Sequence, residues 1–282
     1  MSAGSPVRSA GRFEAAYVPL RREEPRLGDV CLLPWDAEIF GFPVAEYRPG
    51  TSEELSRNPA ALRKDLERWT GQTGAELVAC RVPAESTASV AALAAAGFRF
   101  IELQLRATLP RLEPERLDAR RLTVRAADPA DHARILEIAG SAFAFGRYHA
   151  DPLFPRALAA RRFRVWMERA LAEPSPGTWI GVVGQAGQPA GFLHAEREGE
   201  NADIRLLAAD PGAAGLAGPA LLLGALHELA SRGATRATAQ LSPANSAALN
   251  VYAAHRFQFH QPEVVLHWNR PGAPHLPAAP PL

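Results

Sequence analysis

The chain has 282 residues, more than one typical domain needs and fewer than three, and its 47% hydrophobic and 22% charged content marks a globular protein able to bury a core. With 31 Lys and Arg against 30 Asp and Glu, the formal net charge of +1 excludes the basic footprint of a nucleic-acid or anionic-membrane binder, so a small molecule is the expected partner. Cys31 and Cys80, the only cysteines, are too few for a disulfide framework or a cysteine zinc site, which fits a reducing, cytoplasmic setting.

Taken in chain order, the N-terminal MSAGSPVRSAGRFEAAYVPLRREE lacks the apolar centre of a signal peptide. Next, LVACRVPAESTASVAALAAAGFRFIELQLRATL reads as strand, alanine-rich helix and strand. In its last strand, alternation puts Ile101, Leu103 and Leu105 on one side and Glu102 with Gln104 on the other. Pro110 to Arg121 is charged, Pro-punctuated and without apolar periodicity, so it reads as a connector. The expected organisation is a truncated first domain over 1–118, a second over 119–270, and a Pro-rich mobile tail over 271–282.

The second half alternates element types: LTVRAAD as strand and turn, HARILEIAGSAF as helix, FPRALAARRFRVWMERALAE as a longer helix. WIGVVGQAG and PAGFLHAERE form a hairpin through Gly187 and Gln188, and ADIRLLAA a third strand. PALLLGALHELASRG is a helix with Pro219 in first position, and ATRATAQLS and VVLHW are strands around a helix from Ser246 to His255. The longest apolar run, Leu216 to Ala230, is broken by Pro219, His227 and Glu228, so no membrane span is expected. The result is an α/β layered fold, a mixed sheet flanked by helices. RATAQLSPANSAALNVYAAHRFQFHQPEVVLHW repeats the first-half strand, helix, strand pattern about 160 positions later, which suggests duplicated folding units, although alanine-rich units of this kind resemble one another in any case.

In DPGAAGLAGPALLLGALHELASRG a Gly/Ala-rich turn leads into an apolar helix, so backbone N–H groups near Gly215 and Gly218 can face a phosphate; a plain tight turn looks the same. Asn245 stands at an N-cap, and Tyr252, seven residues on, is about two turns away on the same face. The pair can address one elongated ligand, or serve as an ordinary cap and a packed aromatic. FAFGRYHAD, Phe143 to Asp151, mixes aromatic, cationic and acidic groups in an expected loop, with Arg147 suited to a diphosphate and Tyr148 to a base or sugar. His149 and Asp151 lack a third ligand at sensible spacing, so no metal is expected.

The order of Gly/Ala turn, apolar helix, strand and N-S-A-A-L-N-V-Y resembles the GNAT acetyltransferase superfamily over Leu122 to Arg270. Within it the chain looks most like the TDP-fucosamine acetyltransferases, through LLPWDAEIFGFPVAEY, FAFGRYHADPLFPRALAARRFRVWMERAL and the truncated acetyltransferase-like first half. The resemblance implies tandem GNAT-like halves with the acceptor site between them. It also implies acetyl-CoA splayed between two strands, its pyrophosphate on Gly215, Leu216, Ala217 and Gly218, and its pantetheine arm against Leu207. Asn245 would then bond the cofactor and Tyr252 protonate the departing thiolate. A phenol with an ordinary pKa near ~10 stays protonated for that task at neutral pH, and a strand N–H can hold the oxyanion formed by amine attack.

The sequence departs from the family turn Q/R-x-x-G-x-G/A at its first place, where Gly215 stands for the amide or basic residue, leaving the backbone N–H groups to bind the pyrophosphate. An arriving ammonium must lose a proton, and Glu102 is the candidate base, acting through water as the glutamate in the resembling enzymes is thought to; plain solvent exposure is the alternative. The expected acceptor is the 4-amino group of a nucleotide-linked amino-deoxy sugar. Aminoglycosides, small metabolites and protein N-termini are the other amines, and a degenerate acyl-CoA-binding protein is the rival outside the enzyme class. The sequence is compatible with a homodimer.

Overall fold

The computed structural model describes residues 18–19, 28–51, 53, 55, 58–113, 124–212 and 217–276. The chain divides into two compact units, one comprising Met1–Arg81, Thr87–Arg99 and His267–Leu282, the other Val82–Ser86 and Phe100–Leu266. Each is mixed α/β.

In the first unit β1 (Val18–Pro19) and β2 (Gly28–Leu32) pair antiparallel, and β2 continues antiparallel onto β3 (Val44–Pro49) after the short α1 (Pro34–Phe40). β3 then pairs in parallel with β4 (Leu77–Pro83) through the crossover helix α2 (Pro59–Thr73), and α3 (Thr87–Ala95) follows. Helix α2 begins where it does because the Asn58 side chain accepts the Ala61 N–H at 3.0 Å and Pro59 needs no N–H partner in the first turn. In the stretch expected to be a mobile tail, His275 and Leu276 make contacts with the first unit. The Glu76 carboxylate accepts the His275 N–H at 3.0 Å and lies 2.7 Å from its ring Nδ1, the ring stacks on Phe42 at 5.3 Å, and Leu276 is buried. The rest, 277–282, lies outside the described residues.

The second unit takes nearly all of β5 (Arg99–Leu109) from the first half of the chain. It adds β6 (Val124–Ala126), a 3-10 turn (Pro129–Asp131), α4 (His132–Ser141), α5 (Arg147–Ala150) and α6 (Arg156–Ala172). After these come the hairpin of β7 (Thr178–Gln185) and β8 (Gln188–Glu198), β9 (Asn201–Ala209), α7 (Ala217–Ser231), β10 (Arg236–Leu241), α8 (Ser246–Ala254) and β11 (Gln258–Asn269). β6, β7, β8 and β9 pair antiparallel in turn, β9 pairs parallel with β10, and β10 antiparallel with β5 from Ala237↔Leu109 to Leu241↔Leu105. Helices cover both faces, as the near-continuous apolar runs of β7 and β8 require. On one face Leu222, Leu226 and Leu229 of α7 and Tyr252 of α8 meet Ala107, Leu193, Ile204 and Ala239; on the other, Ile135 and Ile138 of α4 and Met167 of α6 meet Val182, Phe192 and Leu206.

The expected repeat is regular: β4, α3 and β5 each begin 159 residues before β10, α8 and β11. Even the helix ends match. Phe98 N–H bonds Leu93 O and Gly97 N–H bonds Ala94 O, as Phe257 N–H bonds Tyr252 O and Arg256 N–H bonds Ala253 O, the same paired C-terminal cap in both copies. That cap needs a left-handed residue, supplied by Gly97 at φ 97 in one copy and by Arg256 at φ 63 in the other. The connector is described from Pro110 to Glu113, where Leu112 donates to Thr235 O at 2.7 Å and packs into the second unit's core.

Candidate active site

Strand β9 carries the irregularity that shapes the site. Its register with β8 runs His194↔Leu206 and then Ala195↔Ile204, so Arg205 is one extra residue, a β-bulge. An extra residue reverses the pleat. Ala202 and Ile204 therefore face the α7/α8 core, while Leu206 and Ala208 face the α4/α6 core and Leu207 returns to the α7/α8 side. On its other edge β9 pairs with β10 only from Asn201↔Arg236 to Ile204↔Ala239, although β9 continues to Ala209 and β10 to Leu241. The strands part at the bulge, and from Arg205 to Ala209 that edge has no strand partner among the described residues.

A parallel crossover places its helix N-terminus at the carboxyl end of the preceding strand, so α7 begins where β9 and β10 separate and α8 begins at the carboxyl end of β10. Gly215 and Leu216 lie outside the described residues, and the helix is described from Ala217. Pro219 is thus its third described residue rather than its first, still within the turn whose N–H groups need no helical acceptor. A Cβ on Gly218 would meet nothing within 4 Å among the described residues. Ahead of it the Asp210 carboxylate accepts the Gly212 N–H at 3.1 Å and an N–H of Arg134 from α4.

Asn245 caps α8 by accepting the Ala248 N–H at 3.0 Å through Oδ1, while its Nδ2 has no partner among the described residues. Tyr252 is 5% exposed, packs edge-on against Phe257 at 4.8 Å, and shares its core with Leu207. Its hydroxyl makes no hydrogen bond among the described residues, and burial, followed by the nearby Asp203 carboxylate, pushes the phenol's pKa above its ordinary range.

Asp203 belongs to a row of polar groups crossing three strands. Thr238 Oγ1 donates to Asp203 Oδ1 at 3.1 Å, and Arg205 donates to Asp203 Oδ2 at 2.9 Å and to Glu196 Oε2 through Nε at 3.1 Å. His194 ends the row, 3.8 Å from Glu196, 1% exposed, with its pKa lowered to about 4 by burial and then by Arg205. Sequence reading missed this row, whose only signals were a charged Asp203 and Arg205 inside an apolar strand.

Glu102 is 5% exposed, which removes plain solvent exposure as its explanation, and it accepts from Gln104 Nε2 at 2.9 Å. It stands three residues past Leu105, the end of the β5 pairing with β10, on the carboxyl-end side of β10. Leu103, expected to pack with Ile101, is instead 37% exposed, because β5 has run beyond its neighbour there. Arg147 and Tyr148 are in the short helix α5 rather than a loop, and Tyr148 is buried against Phe154 with its ring centroid 4.7 Å away. Among the described residues no group of three His, Cys, Asp or Glu side chains could hold a metal, and no helix is long and apolar enough to cross a membrane.

The overall fold is similar to that of solved GCN5-related N-acetyltransferases. The chain superposes on the GCN5-related N-acetyltransferase from Sphaerobacter thermophilus with a TM-score of 0.60 and 15% identity, covering 88% of this chain and 78% of that one. The GCN5-related N-acetyltransferase from Kribbella flavida gives 0.58 at 15% identity over 92% and 90%, and a tandem GNAT protein from the clavulanic acid biosynthesis pathway gives 0.54 at 15% over 88% and 81%. At such identities the likeness is one of fold. No protein-family model matches the chain, and no curated protein matches its sequence.

Proposed function

We propose that this protein is an N-acetyltransferase that moves acetyl from acetyl-CoA to a primary amine, the 4-amino group of a nucleotide-linked amino-deoxy sugar, in the cytoplasm. The observation that carries the reading is the freed edge of β9 beyond Ile204, at the carboxyl end of a parallel strand pair and in one core with Tyr252. An unpaired strand edge offers N–H and C=O groups to the amides of a pantetheine arm, and Leu207 lies on that segment. The backbone N–H groups of Gly215, Leu216, Ala217 and Gly218 take the pyrophosphate, and Asn245 donates to the cofactor through the Nδ2 that its cap leaves over.

Acetyl-CoA supplies the thioester. Tyr252, held protonated by its buried setting, donates to the leaving thiolate. Glu102 receives the amine's proton through water. Asp203 is a second reading for that base, favoured by its charge acting on Tyr252. We also propose that residues 1–118 are a shortened GNAT-like half whose partner, 119–270, carries the cofactor site.

Purified protein mixed with acetyl-CoA and a panel of amines should release CoA thiol, fastest with dTDP-4-amino-4,6-dideoxygalactose. Silence with every amine despite acetyl-CoA binding would leave the binding-protein reading instead. In Tyr252→Phe, kcat should fall about 100-fold with acetyl-CoA affinity unchanged; full activity in that variant removes the proton-donor role.

A further inference from the structure

The bulge at Arg205 needs a cause, because the apolar pattern does not pin it. Leu206, Leu207, Ala208 and Ala209 use each residue type twice in succession, so sliding the strand by one position would exchange leucine for leucine and alanine for alanine on each face. What a regular ladder would change is Arg205. Continued from Ala195↔Ile204 without a shift, the ladder would set Arg205 directly opposite His194. That ring is 1% exposed, is held neutral by burial, and has no hydrogen-bond partner at either nitrogen among the described residues. A guanidinium drawn toward it would lose hydration with nothing opposite to replace the water. The shift instead leaves Leu206 opposite His194 and keeps Arg205 partly exposed beside two carboxylates. Its Nη1 lies 2.9 Å from Asp203 Oδ2, and its Nε and Nη2 lie 3.1 and 3.0 Å from Glu196 Oε2. Asp203 is held in turn at 3.1 Å by Thr238, its partner in the parallel ladder, so the cluster crosses β8, β9 and β10 one residue pair before β9 and β10 part.

The first copy of the repeat shows the alternative. Ala79 in β4 and Thr238 in β10 are 159 residues apart, the offset of the two strands, and their parallel partners are Glu46 and Asp203. Arg48, two residues past Glu46, therefore corresponds to Arg205. It lies directly opposite Asp29, and the β2–β3 ladder runs one to one from Gly28↔Pro49 to Leu32↔Ala45. An arginine with a carboxylate across the ladder keeps the regular register; one with a buried imidazole across it is displaced into a bulge. We propose that Arg205 is a positioning residue for the acetyl donor: clamped between Asp203 and Glu196, it holds the bulge that turns β9 away from β10 and leaves that edge open for acetyl-CoA. The clamp depends on the acetyltransferase reading only for the identity of what the open edge receives.

The test compares full-length wild type with Arg205→Met, which keeps a long unbranched side chain and removes its charge, by hydrogen exchange in the free proteins and by calorimetric titration of acetyl-CoA. In the variant the backbone amides of positions 205–209 should exchange about tenfold more slowly, as β9 extends its ladder toward Gln240 and Leu241. Acetyl-CoA affinity should fall about tenfold or more, the effect of losing one or two backbone hydrogen bonds. Arg205→Lys, which keeps the cation, should restore most of both. Glu196→Gln, isosteric and partly exposed, removes one side of the clamp without threatening the fold, and should move both readings the same way by a smaller amount. The proposal is overturned if exchange over 205–209 is unchanged in Arg205→Met and Glu196→Gln, or if acetyl-CoA binds Arg205→Met as tightly as wild type. Should wild type bind no acetyl-CoA, the acetyltransferase reading falls, and the exchange comparison alone decides whether Arg205 holds the bulge.

Discussion

His194 makes the second unit sensitive to acid. The ring is 1% exposed, neither nitrogen has a hydrogen-bond partner among the described residues, and its pKa is lowered to about 4 against an ordinary value of 6.5. Glu196, 3.8 Å away, would welcome a proton on the ring, but burial and the Arg205 charge outweigh it. The folded state thus holds His194 neutral while the unfolded chain binds a proton below 6.5. Stability is fully present above pH 6.5 and falls as pH drops toward 4. The difference of 2.5 units amounts to about 3 kcal/mol in full, of which about 2 kcal/mol is gone by pH 5. Urea unfolding of wild type and His194→Leu between pH 7.5 and 4 reads this directly. The variant should match or exceed wild type by about 1 kcal/mol at pH 7.5, because an unpartnered buried polar group is removed, and should lose less stability on acidification. Parallel curves for the two proteins would refute the assignment of the acid sensitivity to His194.

Asp131 is fully buried and accepts from Arg125 at 2.6 and 2.8 Å, from the Asp128 N–H at 3.0 Å and from the Gly187 N–H at 2.9 Å, so Asp131→Ala should cost about 3–5 kcal/mol in urea unfolding. A loss under about 1 kcal/mol would mean that the cluster does not hold β6 to the β7–β8 turn. Arg256 occupies at φ 63 the cap position that Gly97 fills in the other copy, so Arg256→Gly should raise stability by about 1 kcal/mol. A lower melting temperature in that variant would show that the arginine side chain contributes more than its backbone strain removes.

The repeat and the element types were legible in the sequence because both copies keep the same spacing and the same strand, helix, strand order, and seven-residue spacing put Asn245 and Tyr252 on one helix. Three features were not. Ala202, Ile204, Leu206 and Ala208 alternate as if for one core, yet a bulge at Arg205 divides them between two, and bulges leave no periodic trace. Tyr148 is buried although its neighbours are polar, because the pairing of α5 with α6 is set by tertiary packing. The Pro-rich composition after Arg270 gave no hint of the hold that Glu76 keeps on His275, two residues 199 positions apart in the chain.

The central claim is that acetyl-CoA binds the second unit with its pyrophosphate at the start of α7. Gly218 tests it most directly, since a Cβ there meets nothing within 4 Å among the described residues, whereas the carboxylate of Gly218→Glu would oppose the phosphates. Calorimetric titration of acetyl-CoA should show one site per chain in wild type and a loss of about 100-fold or more in affinity in the variant, with unfolding unchanged. Equal affinity in the two proteins, or no binding in wild type, would contradict it.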